Sequence, residues 1–449
     1  MFDSFDTRGN PCLAGEVSWK SSPTRGVGMR RFFFFVLPLA VVLLLGAGQA
    51  VAGPSPEGGS SVRTAVVGPV SITAPFAPGE VDLSALGVSA TELLTVGPIP
   101  SLSTTPGNLI VDDDLLDCPN AGYTSIQDAV TAAGPGDKIK VCRGVYMEQV
   151  TIPASKDGLT LYSVPDLQAV IKAPLVMADP KAIVRVNGAQ DVTIRHFTIT
   201  GPGGGGCDSI RWGVRVDNNG SALITDNHIT EIRDALSMTG ALSGCQNGIG
   251  VLLGRNRPEL GDDSPGSGTV VHNLIDRYQK GGVLVDNTGS STGEVAYNEV
   301  TGTPSSTIAQ NGIQVSRAGR GDAHHNKVSM NQYLPGGVEE SGILLYSNTV
   351  PARAHHNEVF MNDAGVTLWT VVGNAEISYN NARNNMYGVV AYSPSSDNLI
   401  AYNKAFENGR FDCRDDSDGP YTGGVANKWV KDLGRTENKP GLCKQAGPQ

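Results

Sequence analysis

Between Ser341 and Ala405 the apolar and polar positions fall into three registered units. SGILL (341–345) precedes AHHNEV (354–359), AGVTL (364–368) precedes EISYNNA (376–382), and YGVVA (387–391) precedes LIAYNKA (399–405). Each unit has a Gly, an apolar–x–apolar run, a gap, and then apolar–x–x–Asn–x–apolar. Gly342, Gly365 and Gly388 are 23 residues apart, and so are Asn357, Asn380 and Asn403. A fixed period in the twenties marks a solenoid whose coils bury their apolar faces only by stacking. The short alternating runs of Val, Ile and Leu have the two-residue period of strands, and no unit has helical periodicity.

The pattern extends upstream with longer loops, through Gly213, Gly248, Gly282 and Gly312 and through Asn227, Asn273, Asn298 and Asn326. A degenerate coil pairs IVRV (183–186) with TIRHFTI (193–199), Phe197 standing in the Asn position. The apolar residues flanking each Asn, such as Ile400 and Ala405, are five apart. A straight strand would send them to opposite faces, so the chain must bend between them. Asn tolerates the left-handed conformation expected there, and stacked amides can hydrogen-bond along the axis.

These features resemble the right-handed parallel β-helix of the pectin-lyase-like superfamily, over residues 108–443. The run YTSIQDAV…GPGDKIKV…GVYMEQVTI is similar to the start of pectinesterases and of many bacterial surface β-helix proteins. The expected fold is all-β: a right-handed parallel β-helix solenoid with an N-terminal capping helix and a disulfide-tied C-terminal cap. The helix is expected over 123–133, with Ile126, Ala129, Val130 and Ala133 on one face and Thr124 with Gln127 as a capping box. The expected divisions are an over-called leader (1–28), a secretory signal (29–52), a Pro/Gly/Ser/Thr-rich spacer (53–107), a cap and first coil (108–142), the repeats (143–412) and a C-terminal cap and tail (413–449). The signal reads MRRFFFFVLPLAVVLLLGAGQAVA and ends in a small-residue cleavage pattern before Gly53; an uncleaved anchor is the alternative. Either reading implies a secreted or cell-surface protein, with membrane contact only through a retained anchor.

Composition adds to this picture. Residues 1–52 hold five Lys/Arg and three Asp/Glu, so the remainder carries 29 basic and 41 acidic residues, a charge of −12. No basic run points to nucleic acid. A polyanionic glycan would need a local basic strip or a bridging cation. Six of the seven cysteines follow residue 52, and an even number in an exported chain implies disulfides. Sequence order suggests Cys118 with Cys142, Cys207 with Cys245, and Cys413 with Cys443. No CxxC supports a zinc site.

Three groups of residues carry the candidate chemistry. The second and fourth positions after each Gly point outward and include Arg215, Asp217, Asp286, Gln314, Tyr346, Trp369 and Tyr392, which are the candidate sugar-binding strip. The residue before each Asn gives the column His196, Asp226, His272, Tyr297, His325, His356, Tyr379 and Tyr402. His325 and His356 are the candidate metal ligands, against plain stacking of rings at a corner. Loop residues Arg211, Arg277, Lys280, Glu339 and Glu340 are the candidate catalytic groups if the protein is a lyase or epimerase of acidic glycans with calcium. DDSDG (415–419) lacks the ligands of an EF-hand, and a looser calcium site in the cap is the remaining reading. The Gly-His-Gly of β-helix glycoside hydrolases, the GxQAVAL-like and DFIFG-like segments of pectinesterases and the YG-x-DPHD-like motif of alginate epimerases do not occur. The functional expectation is a monomer acting on or binding extracellular polysaccharide; alternatives are a non-catalytic surface protein and a periplasmic metal-handling protein.

Overall fold

The computed structural model describes residues 109–286, 292–303, 307–333 and 340–444. The expected leader, signal and spacer, and Glu339, lie outside the described residues. Among the described residues no helix is long and apolar enough to cross a membrane.

The strands assemble into three parallel sheets that follow the solenoid. Sheet A holds ten strands, from Val150–Pro153 through Trp212–Asp217, Ile249–Leu253 and Asn311–Ser316 to Phe411–Asp415. Sheet B holds the strands ahead of each Asn, such as Gly220–Thr225, Gly266–Val271, Thr292–Ala296, Arg320–His324 and Ala352–His355. Sheet C holds the three-residue strands after it, such as Lys327–Ser329 and Glu358–Phe360. Sheets B and C merge in the first coils, because the strands Lys138–Met147 and Thr160–Lys172 run through both.

Inward residues form unbroken apolar columns. Val214, Val251, Val283, Ile313, Ile343, Val366 and Val389 are successive register partners in sheet A. Ile224, Val270, Val295, Ala323, Ala354, Ile377 and Ile400 do the same in sheet B. All these side chains are buried in one cluster, so each coil gains its burial from its neighbours. The glycine column takes Gly250, not the expected Gly248. A Cβ on Gly213 would meet the Gly250 carbonyl at 2.6 Å, and one on Gly250 would meet that of Gly282 at 2.6 Å. Gly248 instead takes φ +83° just before the strand Ile249–Leu253.

The Asn ladder forms, with one correction. The left-handed residue is the one before each Asn: His196, Asp226, His272, Tyr297, His325, His356, Tyr379 and Tyr402 have φ between 53° and 66°. That residue turns the corner, which leaves the Asn side chain pointing inward and buried. Asn227 receives one bond on Oδ1, from Phe197 N–H, and each later Asn receives two from the coil before, one from backbone N–H and one from Nδ2. Asn227 donates both to Asn273 (3.0 and 3.1 Å), and Asn357 donates both to Asn380 (3.1 and 2.9 Å). The ladder ends when Asn403 donates both to Oδ1 of Asp432, at 2.8 Å. A second ladder, five residues on, runs Asn331, Asn362, Asn385, Asn408 at the next corner; the sequence reading missed it.

The helix spans Ile126–Ala132 and buries Ile126, Ala129 and Val130 in the core. Its cap differs from the expected Thr124 box: Ser125 Oγ accepts from Asp128 N–H, and the Glu148 carboxylate accepts from Ile126 and Gln127 N–H, both at 2.8 Å. Three disulfides join the expected pairs, with Cα–Cα distances of 6.3, 5.5 and 6.1 Å for Cys118–Cys142, Cys207–Cys245 and Cys413–Cys443. The stack continues past Cys413 as Lys428–Val430, Asp432–Leu433 and Cys443–Lys444.

Candidate functional site

The outer face of sheet A is largely covered. Its N-terminal half lies under a hairpin, Arg255–Arg257 paired antiparallel with Asp262–Ser264. Arg215 and Asp217 are buried and bonded to each other at 2.6 Å; Asp217 also holds Arg185 at 2.9 Å, and Arg215 reaches Asp262 of the hairpin at 2.7 Å. Asp286 is buried among Arg255 (3.2 Å), Arg317 (2.8 Å) and the Ser316 hydroxyl (2.9 Å). Below them Trp212, Ile249, Leu252 and Leu284 form a separate apolar cluster. This network fastens the hairpin to the sheet. It is made of three of the residues expected to meet sugar. Gln314 is half-buried and accepts from Asn311 Nδ2. Tyr346, Trp369 and Tyr392 do line up on successive coils. Trp369 and Tyr392 lie 5.0 Å apart at 46°, and the guanidinium groups of Arg317 and Arg414 sit over Tyr346 and Tyr392.

The candidate catalytic residues do not share an open site. Arg211 clasps Asp208 with two bonds, at 2.6 and 2.7 Å. Arg277 pairs with Glu231 at 3.0 Å. Lys280 donates to the carbonyl of Ala309 at 2.6 Å. Glu340 is fully buried, with the Gln310 backbone and the Lys280 ammonium as the groups that favour its charged form. Burial, with Asp363 nearby, pushes it up to about 9, so the side chain is a neutral acid at pH 7. Burial also raises Asp363, whose carboxylate accepts from Tyr333 and Glu340 N–H.

An open groove lies instead on the outer face of sheet B. It has a volume of about 800 Å³ and crosses six successive strands, from Asp191–Thr193 to Pro351 and Arg353. Thr193, Ser221, Ser267, Thr269 and Thr292 supply hydroxyls, Leu223 supplies an exposed apolar patch, and Asp191, Glu294, Asp322, Arg320 and Arg353 supply charge. Parallel register explains the arrangement. Thr193, Leu223, Thr269, Glu294, Asp322 and Arg353 are partners in turn, so one outward column forms the floor.

The corner beside this groove carries the ring column. His272, Tyr297, His325, His356, Tyr379 and Tyr402 stack face to face, at centroid distances of 5.3, 4.9, 5.1, 5.0 and 5.0 Å and interplanar angles of 17° or less. Stacking consumes the faces, so the rings offer edges to solvent and no platform for sugars. A second pair, His324 and His355, stacks alongside at 5.1 Å. His324 Nε2 contacts Glu294 at 3.2 Å and His355 Nε2 contacts Asp322 at 2.9 Å, which ties this corner to the groove floor. Farther along, a smaller cavity of about 340 Å³ contains His196, held by Asp166 at 3.0 Å, and His228, held by Asp276 at 3.2 Å.

Two acidic groups bear on the calcium reading. Asp112, Asp114 and Asp117 bring carboxylate oxygens within 4.8 Å of one another and could hold a divalent cation. In DDSDG the carboxylates are engaged: Asp415 with Ser417, Asn427 and Trp429, Asp416 with Arg414, and Asp418 with Lys439.

Residues 181–381 match the family model described as the right handed beta helix region. No curated protein matches the chain. Among solved structures, a complex of XylC with xylose is 12% identical, with a TM-score of 0.48 over 66% of this chain and 68% of that one. A lacto-N-biosidase from Eubacterium ramulus is 13% identical, with a TM-score of 0.47 over 74% of this chain and 64% of that one. The A-module of a mannuronan C-5 epimerase from Azotobacter vinelandii is 14% identical, with a TM-score of 0.37 over 72% of this chain and 88% of that one. This chain thus spans about two thirds of the length of the first two. Parallel coils, the Gly and Asn columns and the matched region make this chain a right-handed parallel β-helix protein, with no specific catalytic subfamily marked.

Proposed function

We propose that this is an exported protein that binds an extended, neutral, hydroxyl-rich polysaccharide along the groove of sheet B. The observation that carries the reading is the groove itself, about 800 Å³ in volume, floored by one register column and lined by five Ser and Thr hydroxyls. Six strands at about 4.8 Å give it a length of about 24 Å. Such a length suits a polymer better than a small molecule. Its charges nearly balance, three carboxylates against two guanidinium groups, and the chain after residue 52 carries −12. A polyuronate would be repelled by that field, so a neutral glycan fits better than the acidic one the sequence suggests. Three disulfides support export, because they persist in oxidising compartments.

The reading is tested by titrating the full chain with soluble xylan, mixed-linkage glucan and polygalacturonate. Binding to a neutral polymer at least 10-fold tighter than to polygalacturonate is expected. Binding to polygalacturonate alone, or to none of the three, overturns it.

A further inference from the structure

The repeated motif AHHN places two adjacent histidines on each of two neighbouring coils. The second of each pair, His325 or His356, takes the left-handed turn at φ 53° or 54°. The turn swings its ring perpendicular to the first, at 88° for His324 with His325 and 85° for His355 with His356. The two Nδ1 atoms of each pair therefore face one another, 3.0 Å apart in the first and 2.9 Å in the second.

A carboxylate faces the first ring of each pair. Glu294 lies on Nε2 of His324 and Asp322 on Nε2 of His355. A neutral His324 hydrogen-bonded to Glu294 carries its proton on Nε2, which leaves the Nδ1 lone pair turned toward the partner ring, and the Asp322 carboxylate 2.9 Å from Nε2 of His355 favours the same tautomer there. His325 and His356 are exposed, so each can shift its own proton to a water-facing Nε2 and present a second lone pair.

We infer that each of these histidine pairs is a two-nitrogen chelate for a transition-metal cation of tetragonal preference, with Cu(II) first and Ni(II) second. The bite angle carries the choice. With metal–nitrogen bonds of about 2.0–2.1 Å, nitrogens 3.0 and 2.9 Å apart subtend an angle of about 90°. That is the cis angle of a square or octahedral ion, while a tetrahedral zinc site would need about 3.3 Å. Water completes the coordination, since these rings border solvent. The pairs stack with rings 5.1 Å apart. Two divalent ions at that distance repel enough, even in water, to weaken the second on the order of 100-fold. One tight ion per chain is therefore expected.

The test is titration of the full chain with Cu(II), followed by calorimetry and electron paramagnetic resonance, and with Co(II), followed by absorbance. One Cu(II) per chain should bind, with hyperfine coupling from two imidazole nitrogens, and Co(II) should show only the weak bands of an octahedral ion. His324→Ala with His325→Ala leaves the other pair intact, so affinity should fall no more than about twofold, the statistical loss of one of two equivalent sites. Removing all four histidines should abolish tight binding, with thermal unfolding confirming that the variant folds. Intense tetrahedral Co(II) bands, Cu(II) spectra without imidazole coupling, loss of all tight binding on removal of one pair, or unchanged binding without the four histidines would each overturn the assignment.

Discussion

Asn380 donates from Nδ2 to Oδ1 of Asn403, 2.9 Å away on the next coil, and to the carbonyl of Ala354 at 2.8 Å on the coil before. One buried side chain thus ties three coils together. The same pattern runs from Asn227 to Asp432, and it satisfies the backbone N–H groups that the left-handed corners would leave without a strand partner.

Asn357→Ala tests this directly. It removes the acceptor used by both the N–H and the Nδ2 of Asn326. Leaving buried donors unsatisfied should cost about 2–4 kcal/mol. Urea unfolding of wild type and variant should show the loss as a lower midpoint. Unchanged stability would mean that the ladder is incidental.

Glu340 makes stability depend on pH in a predictable direction. Its folded pKa is raised to about 9 from the ordinary 4.5, so the native state holds a proton that the unfolded state releases across that window. The stability this proton contributes is fully present below pH 4.5 and is lost as pH rises toward 9. Glu340→Gln should therefore melt higher than wild type at pH 8, with a smaller gain at pH 5. Parallel melting curves at the two values would show that Glu340 is not buried as a neutral acid.

The Cys207–Cys245 bond closes a loop of 38 residues, for which chain entropy gives a stabilisation of up to about 4 kcal/mol. Replacing both cysteines by serine should lower the thermal midpoint by several degrees while leaving the far-ultraviolet spectrum of the solenoid in place. Loss of that spectrum would show that the bond holds the coils rather than a loop.

The proposed glycan groove on sheet B and the aromatic strip on sheet A are separated by two substitutions. Thr269→Trp fills the floor of the sheet B groove and should weaken binding to a neutral glycan at least 10-fold. Trp369→Ala, on sheet A, should leave binding within twofold. The opposite pattern would return the site to the aromatic strip Tyr346, Trp369 and Tyr392.

Much of the fold was legible because a solenoid repeats its constraints. Gly342, Gly365 and Gly388 lie where a strand passes too close for a Cβ, and Asn357, Asn380 and Asn403 lie where a corner needs an amide. The disulfide pairs followed from position along the stack. The offset of the left-handed φ was not legible, because His, Tyr and Asn all accept that conformation when a ladder rewards it. Gly250 was displaced by Gly248 in the reading because both lie near the strand start. A marker of the second ladder was in view, since Asn331, Asn362, Asn385 and Asn408 each follow a first-ladder Asn by five residues. The groove was hidden for a different reason. Thr193, Thr269, Glu294 and Asp322 look like ordinary solvated strand positions, and only the fold shows that they form one floor. Conversely, Arg215, Asp217 and Asp286 look like a polar working strip until the hairpin of residues 255–264 is seen to cover them.

Hydroxyl-radical footprinting with and without saturating neutral glycan tests the central claim most directly. Leu223 on the groove floor is 38% exposed in the free protein and should lose most of its oxidation on binding, while Tyr346, Trp369 and Tyr392 keep theirs. Protection of those three aromatics with Leu223 unchanged would contradict the account.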